Sequence, residues 1–330
     1  MSNILVQTRP NWLARGGLLV AGAATGAAVA VAGVQAQRRI AAVETLTAEE
    51  AAPEGKFAVV DGYRVRYVEA GSPDAPAVLL LHGFLSSAES WRATFDGLAD
   101  SYHLIAPDLF GFGYSQRSDE PIYTLRRQAE FMAALLDHLG VARASMIGNS
   151  MGGAVALQFA ISYPERVERL VLVDAAAGYT RMGRSPSPVM GRVLQHTPLG
   201  KIMLAGTLYD DARLPQMLTI VYAHPDRMIP EVLPNYARPR RVRGNADSLL
   251  ALLASSPDDN LPRDLGQIET PALIIWGRQD HVITPPNAER LHGDLPNNRL
   301  EWIEDCGHAP QEERPAEFNR LVREFLQTTG

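Results

Sequence analysis

The chain has 330 residues, 46% of them hydrophobic and 21% charged, with a formal net charge of −6. That length suits one large α/β domain with an insertion, or two small domains, and the composition excludes a disordered chain. The acidic balance excludes a nucleic-acid binder, and a lone cysteine, Cys306, excludes an intrachain disulfide and a thiolate zinc site.

The charge is unevenly spread. Residues 1–40 hold Arg9, Arg15, Arg38 and Arg39 and no acid, so this leader carries +4 and the remainder −10. Within it Gly16 to Gln37 is a 22-residue run without a charge, rich in alanine and glycine. A membrane span needs about 20 apolar residues. The run therefore predicts an N-terminal membrane anchor or export signal over residues 1–40, with membrane association through residues 16–37. Val34 to Ala36 resembles a small-x-small cleavage site, but Arg38 and Arg39 follow at once. Charges on the two flanks are nearly equal, so they give no orientation. A membrane-associated or exported protein, on the periplasmic face if bacterial, is the expectation.

Residues 41–56 are polar and acidic, contain Pro53, and read as a linker. Phe57–Val60, Asp61-Gly62 and Tyr63–Val68 make an apolar run, a turn pair and an alternating run, which is a hairpin pattern. Short aliphatic runs then alternate with helical segments. Ala77–Leu81, His103–Ala106, Ala144–Ile147, Leu170–Val173, Ala272–Trp276 and Leu300–Ile303 are predicted strands; Thr124–Leu139, Gly153–Ser162 and Pro315–Gln327 are predicted helices. Continuous apolar strands between helices imply a mostly parallel central sheet covered on both faces. The rhythm breaks between Ala175 and Thr270, where many prolines (Pro186, Pro188, Pro198, Pro215, Pro225, Pro230, Pro234 and Pro239 among them) punctuate apolar helical pieces. Such a stretch is too long for an ordinary αβ loop. An inserted helical cap over 176–270 is predicted, splitting a core of residues 57–175 and 271–330.

Gly148-Asn149-Ser150-Met151-Gly152 has the G-x-S-x-G pattern of a nucleophile elbow. The pattern demands small residues two positions either side of the serine, because the sharp strand-to-helix turn brings backbone close. Here it follows a predicted strand and opens a predicted helix, the required context, so Ser150 is the candidate nucleophile with Gly148 and Gly152 as its elbow. A serine hydroxyl needs a base. Among eight histidines His308 is selected by position, in a loop after the last strand; His82 sits in a turn beside the sheet and reads as structural. The base needs an acid, and Asp280 after Ala272–Trp276 gives the order Ser, Asp, His. Asp174, after Leu170–Val173, is its rival, and Asp108 reads as a loop organiser. Two donors must meet the developing oxyanion. The backbone N–H groups of Met151 and of Phe84, in His82-Gly83-Phe84-Leu85, are the candidates.

With LLLHGF (79–84), APDLFGFGYS (106–115), GNSMGG (148–153), WGRQD (276–280) and GHAPQEERP (307–315), the chain resembles the α/β-hydrolase fold superfamily from about Phe57 to the C-terminus, apart from the cap. It is most similar to bacterial lipases/esterases and membrane-anchored monoacylglycerol lipases. The resemblance implies hydrolysis of carboxylic esters through an acyl-enzyme, with no cofactor and no metal, on a small-molecule or lipid ester. Carbon–carbon bond hydrolases of meta-cleavage products share GNSMGG but usually carry tryptophan after the catalytic histidine, where Ala309 stands here. Haloalkane dehalogenases and epoxide hydrolases place aspartate at the nucleophile. A catalytically silent ligand-binding protein on the same scaffold is the alternative from another class; such proteins typically lose a triad member. In the cap, Met190, Val193, Leu194, Leu199, Ile202, Met203, Leu204 and Leu208 are the expected lining of an acyl pocket. Arg238, Arg240, Arg241 and Arg243 read as a solvated basic loop that could also meet anionic headgroups.

Overall fold

A computed structural model describes residues 12–178, 187–255 and 261–328. Arg9 of the basic leader and Pro186 of the cap lie outside the described residues. Eight strands form one sheet: β1 (Lys56–Val60), β2 (Tyr63–Ala70), β3 (Ala77–Leu81), β4 (His103–Pro107), β5 (Ala144–Asn149), β6 (Val167–Val173), β7 (Ala272–Gly277) and β8 (Asn298–Ile303), in the order β1-β2-β4-β3-β5-β6-β7-β8. β1 and β2 are the predicted hairpin, and β2 meets β4 antiparallel; every later pairing is parallel. This is the α/β-hydrolase architecture, with helices on both faces.

Alternation along the strands accounts for the two layers. Leu79 and Leu81 of β3, Met146 of β5, Leu172 of β6 and Ile274 of β7 are buried in one layer of core, which includes Phe131 and Phe159 of helices Leu125–His138 and Met151–Ser162. Their neighbours Val78, Leu80, Ile147, Val171 and Ile275 point the other way, into a layer with Trp91, Leu98 and Phe318. Strands buried on both faces read as unbroken aliphatic runs, which is why they were visible without any alternation.

Between β6 and β7 stand helices Pro188–His196, Pro198–Ala205, Leu214–Leu218, Pro225–Ala237 and Asn245–Ala254. Four of the prolines sit in a first helical turn, where no intrahelical N–H bond is lost. Pro230 and Pro234 fall inside Pro225–Ala237.

The leader forms a helix, Trp12–Val43, that lies against Pro198–Ala205. Ala36 and Ile40 are buried there, and a methyl added at Gly33 would stand 2.7 Å from Pro198 Cβ. Just beyond its end Glu44 accepts from the backbone N–H of Gly244 (3.0 Å) and Ala246 (2.6 Å) and from the Tyr209 hydroxyl. It thereby caps Asn245–Ala254 from far away in sequence. Residues 41–56 run along the cap: Leu46 bridges Val242, and a short helix, Ala48–Ala51, is held by a capping box between Thr47 and Glu50. Among the described residues no helix is long and apolar enough to cross a membrane.

Candidate active site

Parallel pairing brings the carboxyl ends of β5, β6, β7 and β8 to one edge, where open α/β sheets bind ligands. Ser150 follows β5 with φ 54° and ψ −115°, a conformation costly for a residue with a side chain. The surroundings impose it. Ser150 N–H donates to Val173 O (2.9 Å), while its carbonyl accepts from Gly153, Ala154 and Ala176 N–H. A Cβ at Gly148 would lie 2.4 Å from Gly152 O, and one at Gly152 would lie 2.1 Å from Leu81 O. The two glycines are required by backbone contact on both sides of the turn.

His308 follows β8 and is 6% exposed; Asp280 follows β7 and is 1% exposed. His308 Nδ1–H donates to Asp280 Oδ2 at 2.7 Å. Asp280 Oδ1 accepts from Val282 N–H (2.7 Å) and Ile283 N–H (3.0 Å), so the carboxylate is oriented by three donors. Since Nδ1 carries the proton toward the carboxylate, Nε2 is the basic nitrogen. Ser150 and His308 line the same cavity. The His308 backbone is tied on both sides: its N–H donates to Val221 O of the cap (2.7 Å), and its carbonyl accepts from Asn149 Nδ2 (3.0 Å). Asn149, the residue before the serine, therefore couples the elbow to the histidine loop. Its place in the G-x-S-x-G pattern is unrestricted, so nothing local signalled that role.

The loop after β3 crosses beside the elbow. A Cβ at Gly83 would stand 3.3 Å from Ser150 Cβ. His82 fixes this loop: its Nδ1–H donates to Gly83 O (2.7 Å), and its Nε2 accepts from Leu109 N–H (2.9 Å). Burial drives its pKa down, keeping the neutral tautomer that this double role needs. Asp108, fully buried, accepts from Ala88 N–H (2.7 Å) and Tyr114 N–H (2.8 Å) and pairs with Arg66 at 3.4 Å, tying the loops after β3 and β4 together. Phe84 faces the cavity, and Met151 opens the helix after Ser150, where an α-helix leaves its N–H groups unpaired.

The cavity measures about 320 Å³ and its wall is mainly apolar. From the core come Phe84, Phe112 and Val282; from the cap come Leu208, Met217 and Ile220. This corrects the expected pocket lining. Only Leu208 of the eight predicted residues lines the cavity. Met190, Val193, Leu199 and Met203 are exposed, Leu204 is buried in the core, and Leu194 and Ile202 pack at its margin. The reason is geometric: helices 188–196 and 198–205 pack on Asn245–Ala254 and on the N-terminal helix, leaving the following segment to reach the serine. Arg240 also borders the cavity, but its guanidinium donates to Leu208 O and Ala237 O and pairs with Asp211.

Asp174, Asp280 and His308 offer side-chain atoms within 4.8 Å of one another, a spacing that metals also use. Here His308 Nδ1 and Asp280 Oδ2 are engaged with each other, and Asp280 Oδ1 accepts from two backbone N–H groups.

Fold and site together define a class. The profile of the α/β hydrolase fold family matches residues 76–315, and the chain belongs to that family. It is 32% identical over 280 residues to the uncharacterised hydrolase YugF of Bacillus subtilis, covering 84% of this chain and all of that protein. A 2-hydroxy-6-oxononadienedioate/2-hydroxy-6-oxononatrienedioate hydrolase of Burkholderia vietnamiensis is 34% identical over 279 residues, which is 80% of this chain and 91% of the relative. The crystal structure of a bacterial membrane phospholipase A superposes with a TM-score of 0.67 at 28% identity, covering 96% of this chain and 98% of that one. The protein is thus a hydrolase-fold enzyme with a small-molecule substrate.

Proposed function

We propose that this protein is a serine hydrolase cleaving esters of apolar acyl chains, with Ser150 as nucleophile, His308 as base and Asp280 as its acid. The observation that carries the proposal is the cavity: an apolar wall converging on a strained serine that shares it with a histidine whose Nδ1 is held by a buried carboxylate. In the reaction Ser150 Oγ attacks the ester carbonyl as its proton passes to His308 Nε2. Asp280 keeps the resulting imidazolium oriented and stabilised without taking the proton itself. The tetrahedral oxyanion is met by Phe84 and Met151 N–H, each worth a factor of about 10²–10³. Collapse returns the proton to the departing alcohol. Water, deprotonated by the same histidine, then releases the acid from the acyl-enzyme.

The substrate is best matched by a lipid ester presented at a membrane. The phospholipase superposition leaves only 4% of this chain unmatched, so it reaches into the Trp12–Val43 helix. Burial of Ala36 and Ile40 under the cap favours retention of that helix over cleavage at Ala36. The enzyme is accordingly proposed to be membrane-associated or exported. A second reading, carbon–carbon bond hydrolysis, is favoured by the identity to the dienedioate hydrolase. Such acids need cations in the pocket. Among the described residues lining it the one guanidinium, that of Arg240, is committed to two carbonyls and Asp211.

Intact-mass spectrometry after fluorophosphonate treatment, on wild type and Ser150→Ala, tests the nucleophile. A single adduct in wild type alone is expected; no adduct in folded wild-type protein overturns the proposal. Rates on p-nitrophenyl esters of increasing chain length, set against a vinylogous diketo acid, separate the two chemistries. Faster turnover of the diketo acid would favour the carbon–carbon reading.

A further inference from the structure

Asp174 stands at the carboxyl end of β6 beside the proposed triad, and the mechanism leaves it without a task. It is fully buried and held at φ 45°. Its N–H donates to Ile275 O (3.0 Å), and its Oδ1 accepts from Gly277 N–H (3.1 Å), both on β7. Its Oδ2 is buried without a donor facing it. The group it does approach is an acceptor: Asp174 and Asp280 lie, with His308, inside the cluster whose atoms are within 4.8 Å.

Two carboxylates buried at this range cannot both hold a negative charge, so one proton is retained between them. Which oxygen keeps it follows from the donors. Asp280 as an anion receives three hydrogen bonds, from Val282 N–H, Ile283 N–H and His308 Nδ1–H. Asp174 receives one, from Gly277. The donors therefore converge on Asp280, and Asp174 Oδ2 is the atom with room for a proton. Burial, and next to it the charge of Asp280, raises the Asp174 pKa well above the usual carboxylate range. The remaining titratable neighbours reinforce this. Glu313, whose Oε1 accepts from Gly307 N–H, adds negative charge, and burial keeps the Cys306 thiol protonated.

We infer that Asp174 is held as a neutral acid whose Oδ2–H donates to the Asp280 carboxylate, making it a positioning residue for the His308–Asp280 pair. The inference rests on the triad reading given above. A protonated Asp174 converts an orphaned buried oxygen into a satisfied donor. It also supplies Asp280 with a fourth hydrogen bond, which holds that carboxylate in place as His308 gains and loses its second proton. No net charge is added to the site.

Two substitutions separate a neutral donor from a second anion. Asp174→Asn places an N–H where the inference puts the O–H and keeps an oxygen for Gly277. It is expected to hold kcat within about three-fold and to leave the acidic limb of the kcat/KM pH profile where it lies in wild type. Asp174→Leu fills the space but removes the donor. It is expected to lower kcat on the order of 10- to 10²-fold with KM little changed. In infrared difference spectra, wild type minus Asp174→Asn at neutral pH, the C=O stretch of one protonated, buried carboxylic acid should appear over the background that Glu312 gives in both proteins.

A downward shift of the acidic limb in Asp174→Asn would mean that a negative charge had been removed, and would overturn the inference. So would wild-type kcat in Asp174→Leu, or the lack of the infrared band. If Asp174→Leu fails to fold, the Asn variant and the band still decide. If instead Ser150→Ala or His308→Ala keeps full hydrolysis, the triad reading fails. The infrared band, which does not depend on turnover, then still reports on the protonation of Asp174.

Discussion

At the scale of single residues the site is built from conformations that isolated side chains disfavour. Ser150 is held in its turn by Val173 O and by three N–H groups on its own carbonyl, and the glycines two positions away leave room for Gly152 and Leu81 backbone. Gly148→Ala or Gly152→Ala therefore cannot be absorbed by a rotamer change, because the obstructing atoms are main chain. Either substitution should lower the melting temperature and abolish fluorophosphonate labelling together, as checked by scanning calorimetry and intact mass. Asp280→Asn preserves the shape of the acid but offers His308 a donor as readily as an acceptor. On the triad reading it should reduce kcat by about 10⁴ while leaving the fold intact by circular dichroism. The proposed triad of Ser150, Asp280 and His308 was legible because each residue follows the end of a predicted strand within a few residues. Asn149 was not, since its bonds to Val173 O and His308 O join segments far apart in the chain.

At the scale of elements the N-terminal helix and the cap form one packed unit. Glu44 is the joint. Burial raises its pKa, more strongly than the bonds from Tyr209, Ala246 and Gly244 pull it down. Removing it leaves the first N–H groups of Asn245–Ala254 and the Tyr209 hydroxyl without their acceptor. Glu44→Ala should cost about 1–2 kcal/mol, the range of a lost helix cap, read as a lower midpoint in urea. Because Asn245 lines the cavity and donates to the Tyr209 hydroxyl, the same variant should raise KM for long acyl chains more than for short ones. The helices of the cap were legible from proline punctuation and apolar spacing. Which of them faces the serine was not: periodicity identifies an apolar face without saying what covers it. Met190 and Met203 were thus expected in a pocket that Met217 and Ile220 occupy.

At the scale of the whole molecule, a polar chain that is buried at Tyr222 and Glu312 and reaches solvent at Arg92 and Glu231 links cap to core. Tyr222 of the cap donates to Glu312 Oε2 (2.8 Å), Arg92 of the core reaches Glu312 Oε1 (3.4 Å), and Arg92 also pairs with Glu231 of the cap at 2.7 Å. Burial pushes the Glu312 pKa up to about 7, against the pull of Tyr222 and Arg92. A carboxyl whose pKa is raised by folding favours the folded state in its protonated form. That contribution is complete below the unfolded value, near 4.5, and is lost as pH rises through about 7. Glu312→Gln keeps a neutral partner for Tyr222, so its unfolding free energy should fall less than that of wild type between those limits. Denaturant titrations at several pH values on both proteins check this.

Local physics on its own determined the strands, the elbow turn and the chain order of the proposed nucleophile, acid and base, because unbroken aliphatic runs and obligatory glycines act within a few residues. Tertiary structure decided what depends on contacts between distant segments: the cavity wall, the fastening of the His308 loop to Val221, the cap that Glu44 supplies, and the pairing of Asp174 with Asp280. Each of these is a matter of which buried polar or apolar group meets which. That is settled only when loop ends brought together by parallel strand pairing compete for the same few donors and the same space.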